Sequence, residues 1–414
     1  MTLRTSPIPR RSTVPRPAHI AIVSIPAFGH VYPALALVQE LVARGHRVSY
    51  VNAPWIAPVI EPTGADFIPY DTVVSLDPKA MLADRVAAMN LFLTDAIRQL
   101  PQLHAAFAED RPDVVLYDHG SFGARVLAEQ LGIPAVQLAA SYVPWKGAVE
   151  DGVPVFGILP PMPGAEEYYE RFAKWLQDSG ITAEDGGAPD PREFVTRAGR
   201  VLSMAAPVMQ PHPDRVDQEL VTHVGPCLGD RSAQGSWQRP AQAEKLLLVS
   251  FGSVFTDRPD FYRECLLAFG GLPGWHVVLQ TGKLVDRAAL GRIPDNIEVH
   301  SWVPQLAVLE QADAFVTHGG MGGVNEGLYC GVPMIAVPQA ADQFINADRL
   351  AELGVGRRID TEEATAERLR TALLELTADP RVAERLAGIR RELRQLGGTA
   401  RAADLVEAYL PGHR

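Results

Sequence analysis

Cysteine is scarce: the 414-residue chain has three, Cys227, Cys265 and Cys330. They lie far apart, show no CxxC spacing and cannot all pair. A disulfide scaffold or zinc ribbon is therefore excluded, and a reducing, cytoplasmic setting is expected. Positive charge is also short, since 38 Lys and Arg against 49 Asp and Glu leave a formal net charge of -11. Such a balance lacks the basic footprint of a nucleic-acid binder. The excess acid is spread along the chain and reads as solubility, not as a binding tail. No run of eighteen apolar residues occurs, so no membrane span is expected. The chain has no GxGxxG after its first predicted strand, no Asp-x-Asp in its later glycine-rich stretch and no His/Cys/Asp group at metal-ligand spacing. Dinucleotide binding by the first half and a resident metal are thus not expected.

Apolar residues make up 47% of the chain, enough for a sizeable core, and the length suits two or three domains. Residues 1–17, rich in Arg, Pro, Ser and Thr, read as a disordered leader; the apolar run after them is too short for a signal peptide. Short apolar runs then alternate with helix-compatible segments. Strands are predicted over residues 19–25, 47–51, 67–69, 113–118 and 135–138. Helices are predicted over 33–44, with Pro33 in the first turn, and over 79–109, 123–132, 166–179 and 191–204. Residues 141–164 are rich in Pro and Gly and suit a variable acceptor wall, with Tyr142 and Trp145 as its aromatic candidates.

A composition shift to Pro, Gly, Asp, Gln and Ser marks a linker, taken as 216–242. A second alternating series follows, with strands at 245–250, 276–280, 296–300, 314–317 and 332–337 and helices at 260–269, 361–377, 382–396 and 400–410. Two α/β units follow from this pattern, residues 18–215 and 243–397. Each is a Rossmann-like, doubly wound parallel sheet, and the two face each other across a cleft.

The densest chemistry lies between Trp302 and Gln343, in strand, glycine turn, helix, strand order. The turn His318-Gly-Gly-Met-Gly-Gly323 opens a helix, where free N–H groups and the positive dipole end suit a phosphate. Gly323 offers such an N–H. Glu326 lies eight residues after His318, about two turns on, and can accept from two vicinal hydroxyls, as on a ribose. Trp302 is a candidate stacking platform for a base, with a packed core tryptophan as the bland alternative. Gln305 suits contact with uracil or ribose, or simply starts a surface helix. Asp342 and Gln343 follow the next strand on the ligand-binding edge, or cap a helix. In the first half, His30 follows the first strand and has the titration range of a general base, or is a solvated loop histidine. Asp118 ends a strand of the same sheet and suits a partner for His30, with helix N-cap as the alternative. His119 beside it is a further polar candidate, and Ser253 adds a phosphate contact from a facing loop.

Trp302-x-Pro304-Gln305, His318-Gly-Gly, Glu326, Gly331-Val-Pro333 and Asp342-Gln343 together resemble the donor signature of UDP-sugar-dependent family 1 glycosyltransferases with the GT-B fold. Gly29-His30-Val-Tyr-Pro33 resembles that family's catalytic loop. Within the family the chain is most similar to bacterial macrolide glycosyltransferases. It departs at Gly322-Gly323, where plant members carry Asn-Ser, which costs a side-chain phosphate contact but not the phosphate site.

The resemblance implies an inverting, metal-independent hexosyl transfer, with no cofactor and with UDP-glucose as co-substrate. His30 would be the base, Asp118 its partner, His318 a diphosphate ligand, and Asp342 and Gln343 hexose ligands. The acceptor would be a macrolide-like polyketide or flavonoid, and the last helix, 398–414, would cross back onto the first domain. Three other readings stay open: a TDP-sugar natural-product transferase, a UDP-sugar 2-epimerase and a non-catalytic nucleotide-sugar-binding partner. Antibiotic inactivation and biosynthetic tailoring both fit, and the oligomeric state is open.

Overall fold

The computed structural model describes residues 17–74, 84–148, 150–151, 155–183, 185–197, 199–229, 231, 234–254 and 256–410. Residues 1–16 of the expected leader, the start of the helix expected from residue 79, parts of the 141–164 wall and the last four residues lie outside them.

The β-branched and apolar runs form two parallel sheets. The first holds β1 (His19–Val23), β2 (Arg47–Asn52), β3 (Asp66–Pro69), β4 (Val114–Asp118), β5 (Ala135–Ala139), β6 (Arg200–Ser203) and β7 (Val221–His223), in the order β3-β2-β1-β4-β5-β6-β7. The second holds β8 (Lys245–Ser250), β9 (Trp275–Gln280), β10 (Ile297–His300), β11 (Ala314–Thr317), β12 (Met334–Ala336) and β13 (Gly356–Arg358), in the order β10-β9-β8-β11-β12-β13. Around the first sheet lie α1 (Phe28–Ala43), α2 (Arg85–Ala106), α3 (Phe122–Leu131), α4 (Ala165–Asp178) and α5 (Pro191–Thr196). Around the second lie α6 (Pro259–Phe269), α7 (Gln305–Leu309), α8 (Met321–Cys330), α9 (Gln343–Glu352), α10 (Ala366–Ala378) and α11 (Pro380–Gln395), and α12 (Gly398–Ala408) follows.

The central strands are apolar on both faces because both are covered. Ile20 and Ile22 of β1 join Leu37, Leu41 and Leu116 in one core. Ala21 and Val23, one residue out of phase, join Val115, Tyr117 and Phe172 in the other. That is the two-residue alternation of a pleated strand.

The last helix returns to the first domain. Ala402, Ala403 and Val406 of α12 enter the core that holds Leu37 and Leu41 of α1. Arg44 donates to Asp404 Oδ1 at 2.7 Å and to Glu407 Oε2 at 2.9 Å. His46 Nδ1 accepts from the Ala18 N–H at 3.2 Å, so its Nε2–H faces Glu407 at 3.0 Å.

Three predicted elements change. α1 begins at Phe28 and carries Pro33 inside it. Proline forfeits its own bond to the turn before and crowds the carbonyl four residues earlier, which a helix absorbs near its start, so α1 begins earlier than its proline suggested. The histidine loop of the sequence is therefore a helical turn. The helix expected over 191–204 stops at Thr196, and residues 200–203 form β6 instead, paired with β5. Gly199 (φ +41°) makes the turn between them. Residues 221–223, inside the expected 216–242 linker, form the edge strand β7 of the first sheet. Short, partly polar strands at a sheet edge lack the apolar run by which central strands are read.

Candidate active site

In doubly wound sheets ligands gather at the carboxyl edge where strand order reverses. In the first sheet this point lies between β1 and β4. The chain leaves β1 into α1, whose first turn carries His30, and β4 ends on Asp118. His30 Nδ1 lies 3.1 and 3.0 Å from the two Asp118 oxygens. The carboxylate accepts the Nδ1–H, which leaves Nε2 as the proton acceptor. Burial opposes charge on His30, but Asp118 and the more distant Asp342 outweigh it and raise its pKa above the ordinary 6.5. Burial likewise acts to raise Asp118, but His30 and His119 hold it at about 2. Asp118 also receives the Ile25 N–H at 3.4 Å. It does not cap α3, whose N-cap is Ser121.

In the second sheet the reversal lies between β8 and β11. β8 runs into Phe251, Gly252 and the exposed Ser253, while β11 runs into His318. A Cβ on Gly252 would stand 3.0 Å from His318 Cε1, and one on Gly320 would collide with His318 Nε2. The imidazole is thus wedged between two glycines. Burial pulls its pKa down to about 4, only slightly countered by the Ser250 backbone. His318 is therefore a neutral hydrogen-bond donor at pH 7. The N-cap of α8, Gly320, supplies no side chain. The N–H groups of Met321, Gly322 and Gly323 come before the first intrahelical donor, Val324, which bonds Gly320 O at 3.0 Å.

Further along α8, Glu326 is 5% exposed. Its Oε2 accepts from Gln305 Nε2 at 2.7 Å, and its Oε1 is held by Arg231 Nη1. Trp302 is 48% exposed, so it is an open indole face and not a core tryptophan. Asp342 follows Ala341, which is held at φ +52°, a left-handed conformation unfavourable for an L side chain. Asp342 accepts from Asn346 at 3.1 Å. Burial raises its pKa, and both Ser141 and His30 lie close enough to oppose that. The two sheet edges therefore face each other, His30 across from Asp342. The domains also meet where Asn325 Oδ1 accepts the Ala206 N–H at 2.8 Å and Arg349 donates to Val208 O at 2.8 Å.

Two expected ligands are partly taken up by the protein itself. Gln343 is 4% exposed, and its Oε1 accepts the backbone N–H groups of Gln339 at 2.7 Å and Ala340 at 3.1 Å. It shapes the loop that carries Asp342. Trp145 is 5% exposed and packs with Val143, Val201, Val216 and Val221, while its Nε1–H donates to Asp151 at 2.7 Å. It is a wall stud, not a contact surface. Tyr142 keeps its place beside Asp342, and burial raises its phenol pKa.

Residues 276–396 match the family described as Erythromycin biosynthesis protein CIII-like, C-terminal domain. The chain is 51% identical over 404 residues to oleandomycin glycosyltransferase of Streptomyces antibioticus, covering 97% of this chain and 93% of that one. It is 32% identical to NDP-glycosyltransferase YjiC of Bacillus subtilis, over 95% and 97% of the two chains. Among solved structures, the glycotransferase of kitacinnamycin matches with a TM-score of 0.87 at 51% identity, over 96% of this chain and all of that one. CalG4, the calicheamicin glycosyltransferase, matches at 0.81 and 31% identity, over 95% and 98%. The chain belongs to the family 1 macrolide glycosyltransferases of the GT-B fold.

In this glycosyltransferase's cleft the structure gives the polar candidate His119 a definite place and adds Phe156, which the sequence did not single out. His119 Nδ1 lies 3.2 Å from Asp118 Oδ1, so two imidazoles share one carboxylate. Burial lowers the His119 pKa, which leaves it neutral. Phe156 stacks edge-on to His119 with centroids 5.2 Å apart and packs with Phe92, Ile25 and Val74. The result is an apolar wall beside His30. Only the adjacency of His119 to Asp118 hinted at this group. The fold also brings His30, Asp118 and His119 together with one ligand atom each within 4.8 Å of one another, a grouping able to hold a metal that linear spacing did not reveal. His30 hydrogen-bonds the carboxylate, and His119 lies within ion-pair distance of it. No described helix is long and apolar enough to cross a membrane.

Proposed function

We propose that this glycosyltransferase moves a hexose, glucose first, from a UDP-sugar to a hydroxyl of a macrolide-like acceptor with inversion and without a metal, in the cytoplasm. The observation that carries the reading is the His30–Asp118 pair set across the cleft from Asp342 and His318. The acceptor hydroxyl gives its proton to His30 Nε2 as its oxygen forms a bond to the anomeric carbon. The bond from that carbon to the diphosphate breaks, and UDP leaves with the electron pair. Asp118 holds the His30 tautomer and stabilises the imidazolium that forms. His318 and the α8 N–H groups receive the departing charge without reorganising. Ser253 adds a contact, Trp302 carries the uracil, Glu326 and Gln305 hold the ribose, and Asp342 holds the hexose. Attack from the face opposite UDP turns an α-linked donor into a β-linked product.

The 51% identity to a chain named for oleandomycin glycosylation supports a macrolide acceptor, and the apolar wall of Phe92 and Phe156 suits one. A mass-spectrometric assay with UDP-glucose, TDP-glucose and a panel of macrolides and flavonoids tests this. The expected result is a gain of one hexose on a macrolide with UDP-glucose. Transfer with TDP-glucose alone would overturn the donor, and transfer only to flavonoids would overturn the acceptor class.

A further inference from the structure

Both carboxylate oxygens of Glu326 are engaged in the donor-free protein. Gln305 donates to Oε2 at 2.7 Å. Arg231, from the segment between the two sheets, holds Oε1. The pair is largely out of solvent, with the Glu326 side chain 7% exposed. The guanidinium also sits 5.7 Å from the centroid of Tyr32, two residues after His30 on α1. One arginine thus ties together the connecting segment, the donor helix and the helix that carries the candidate base.

A ribose brings two vicinal hydroxyls to this carboxylate, and a 2′-deoxyribose brings one. We propose that Arg231 is a specificity-determining residue that closes half of the ribose receptor. A ribonucleotide donor that seats its second hydroxyl on Oε1 competes there with the guanidinium, and a 2′-deoxyribonucleotide donor leaves Arg231 where it is. Arg231 therefore levels the preference for ribo over 2′-deoxyribo donors and opens the site to both. This rests on Glu326 as the ribose ligand. The exchange gives up an ion pair for a hydroxyl hydrogen bond to the carboxylate, so the second hydroxyl adds little net affinity, and the released guanidinium stays beside the Tyr32 ring within cation–π range.

The test is calorimetric titration of the full chain with UDP and with 2′-deoxy-UDP. In Arg231→Ala, Oε1 is free and the second hydroxyl gains an unopposed charged acceptor. The ratio of the 2′-deoxy-UDP Kd to the UDP Kd should rise about 10-fold over wild type. Arg231→Gln should move the ratio the same way and stands in if the alanine variant does not fold. A folded variant with an unchanged or smaller ratio would overturn the proposal. So would loss of both nucleotides, since Arg231 would then be a donor ligand. The ribose reading is judged apart, by Glu326→Gln. Added to Arg231→Ala, it should weaken UDP binding, and an unchanged UDP Kd would remove Glu326 as the ribose ligand.

Discussion

Each sheet presents a histidine where its strand order reverses, and the two are electrostatic opposites. His30 meets a carboxylate because β4 ends on Asp118, and its pKa rises despite burial. Among the described residues His318 meets no carboxylate, because the neighbouring β8 ends on Ser250 and continues into Phe251 and Gly252. Burial alone prevails there and holds it near 4. A raised imidazole whose Nδ1–H is pinned can take a proton through Nε2. A neutral one between glycines can donate a hydrogen bond without carrying charge, which suits an anion approaching closely. The strand beside each histidine, more than the histidine itself, assigns its task.

The comparison breaks most sharply at His30. His30→Ala should lower turnover by on the order of 10²–10⁴ and leave UDP affinity at the wild-type value by calorimetry. A variant with wild-type turnover would end the division of labour between the two histidines. Asp118→Asn should follow with a loss on the order of 10² and a moved pH profile. The base must be neutral to act, so the rate falls as pH drops through the His30 pKa, which lies above 6.5 in the intact pair. Without the carboxylate that raises it, the acid limb of kcat/KM should shift to lower pH. A limb that stays in place would remove Asp118 as the cause.

At the other site, Gly320→Ala puts a methyl group against His318 while the backbone, at φ -62° and ψ 140°, accepts alanine without strain. UDP binding should weaken about 10-fold, ~1.4 kcal/mol, with turnover at saturating donor little changed. A change in turnover alone would place His318 in the proton-transfer step. The smallest effect is expected from EDTA, which should leave the rate unaltered. A strict metal requirement would recast His30, Asp118 and His119 as metal ligands.

The fold was readable because both sheets are central, parallel and apolar. Runs such as Ala314–Thr317 and Lys245–Ser250 show their length and β-branching directly. The strands beyond β5 were not readable: β6 and β7 are short and mixed, and they become strands because β5 offers an edge to β6 and β6 offers the next to β7. Among site residues, His30, Asp118, His318 and Glu326 follow strand ends or a glycine turn, positions that topology places at the ligand edge. Trp145 and Gln343 sit in equally suggestive places, yet one is packed behind its wall and the other bonds its own loop. A residue's position along the chain does not say which way its side chain turns.

The order of apolar runs, glycine turns and polar strand ends determined by itself that there are two doubly wound sheets, and which residues stand at their carboxyl edges. Only the tertiary structure decided that His30 and His119 share Asp118, that Asp342 reaches His30 across the cleft, and that Arg231 rests on Glu326. These pairs join residues remote in sequence or fix which way a ring turns. Their energies depend on burial and on the close approach of a few atoms, which no local pattern encodes.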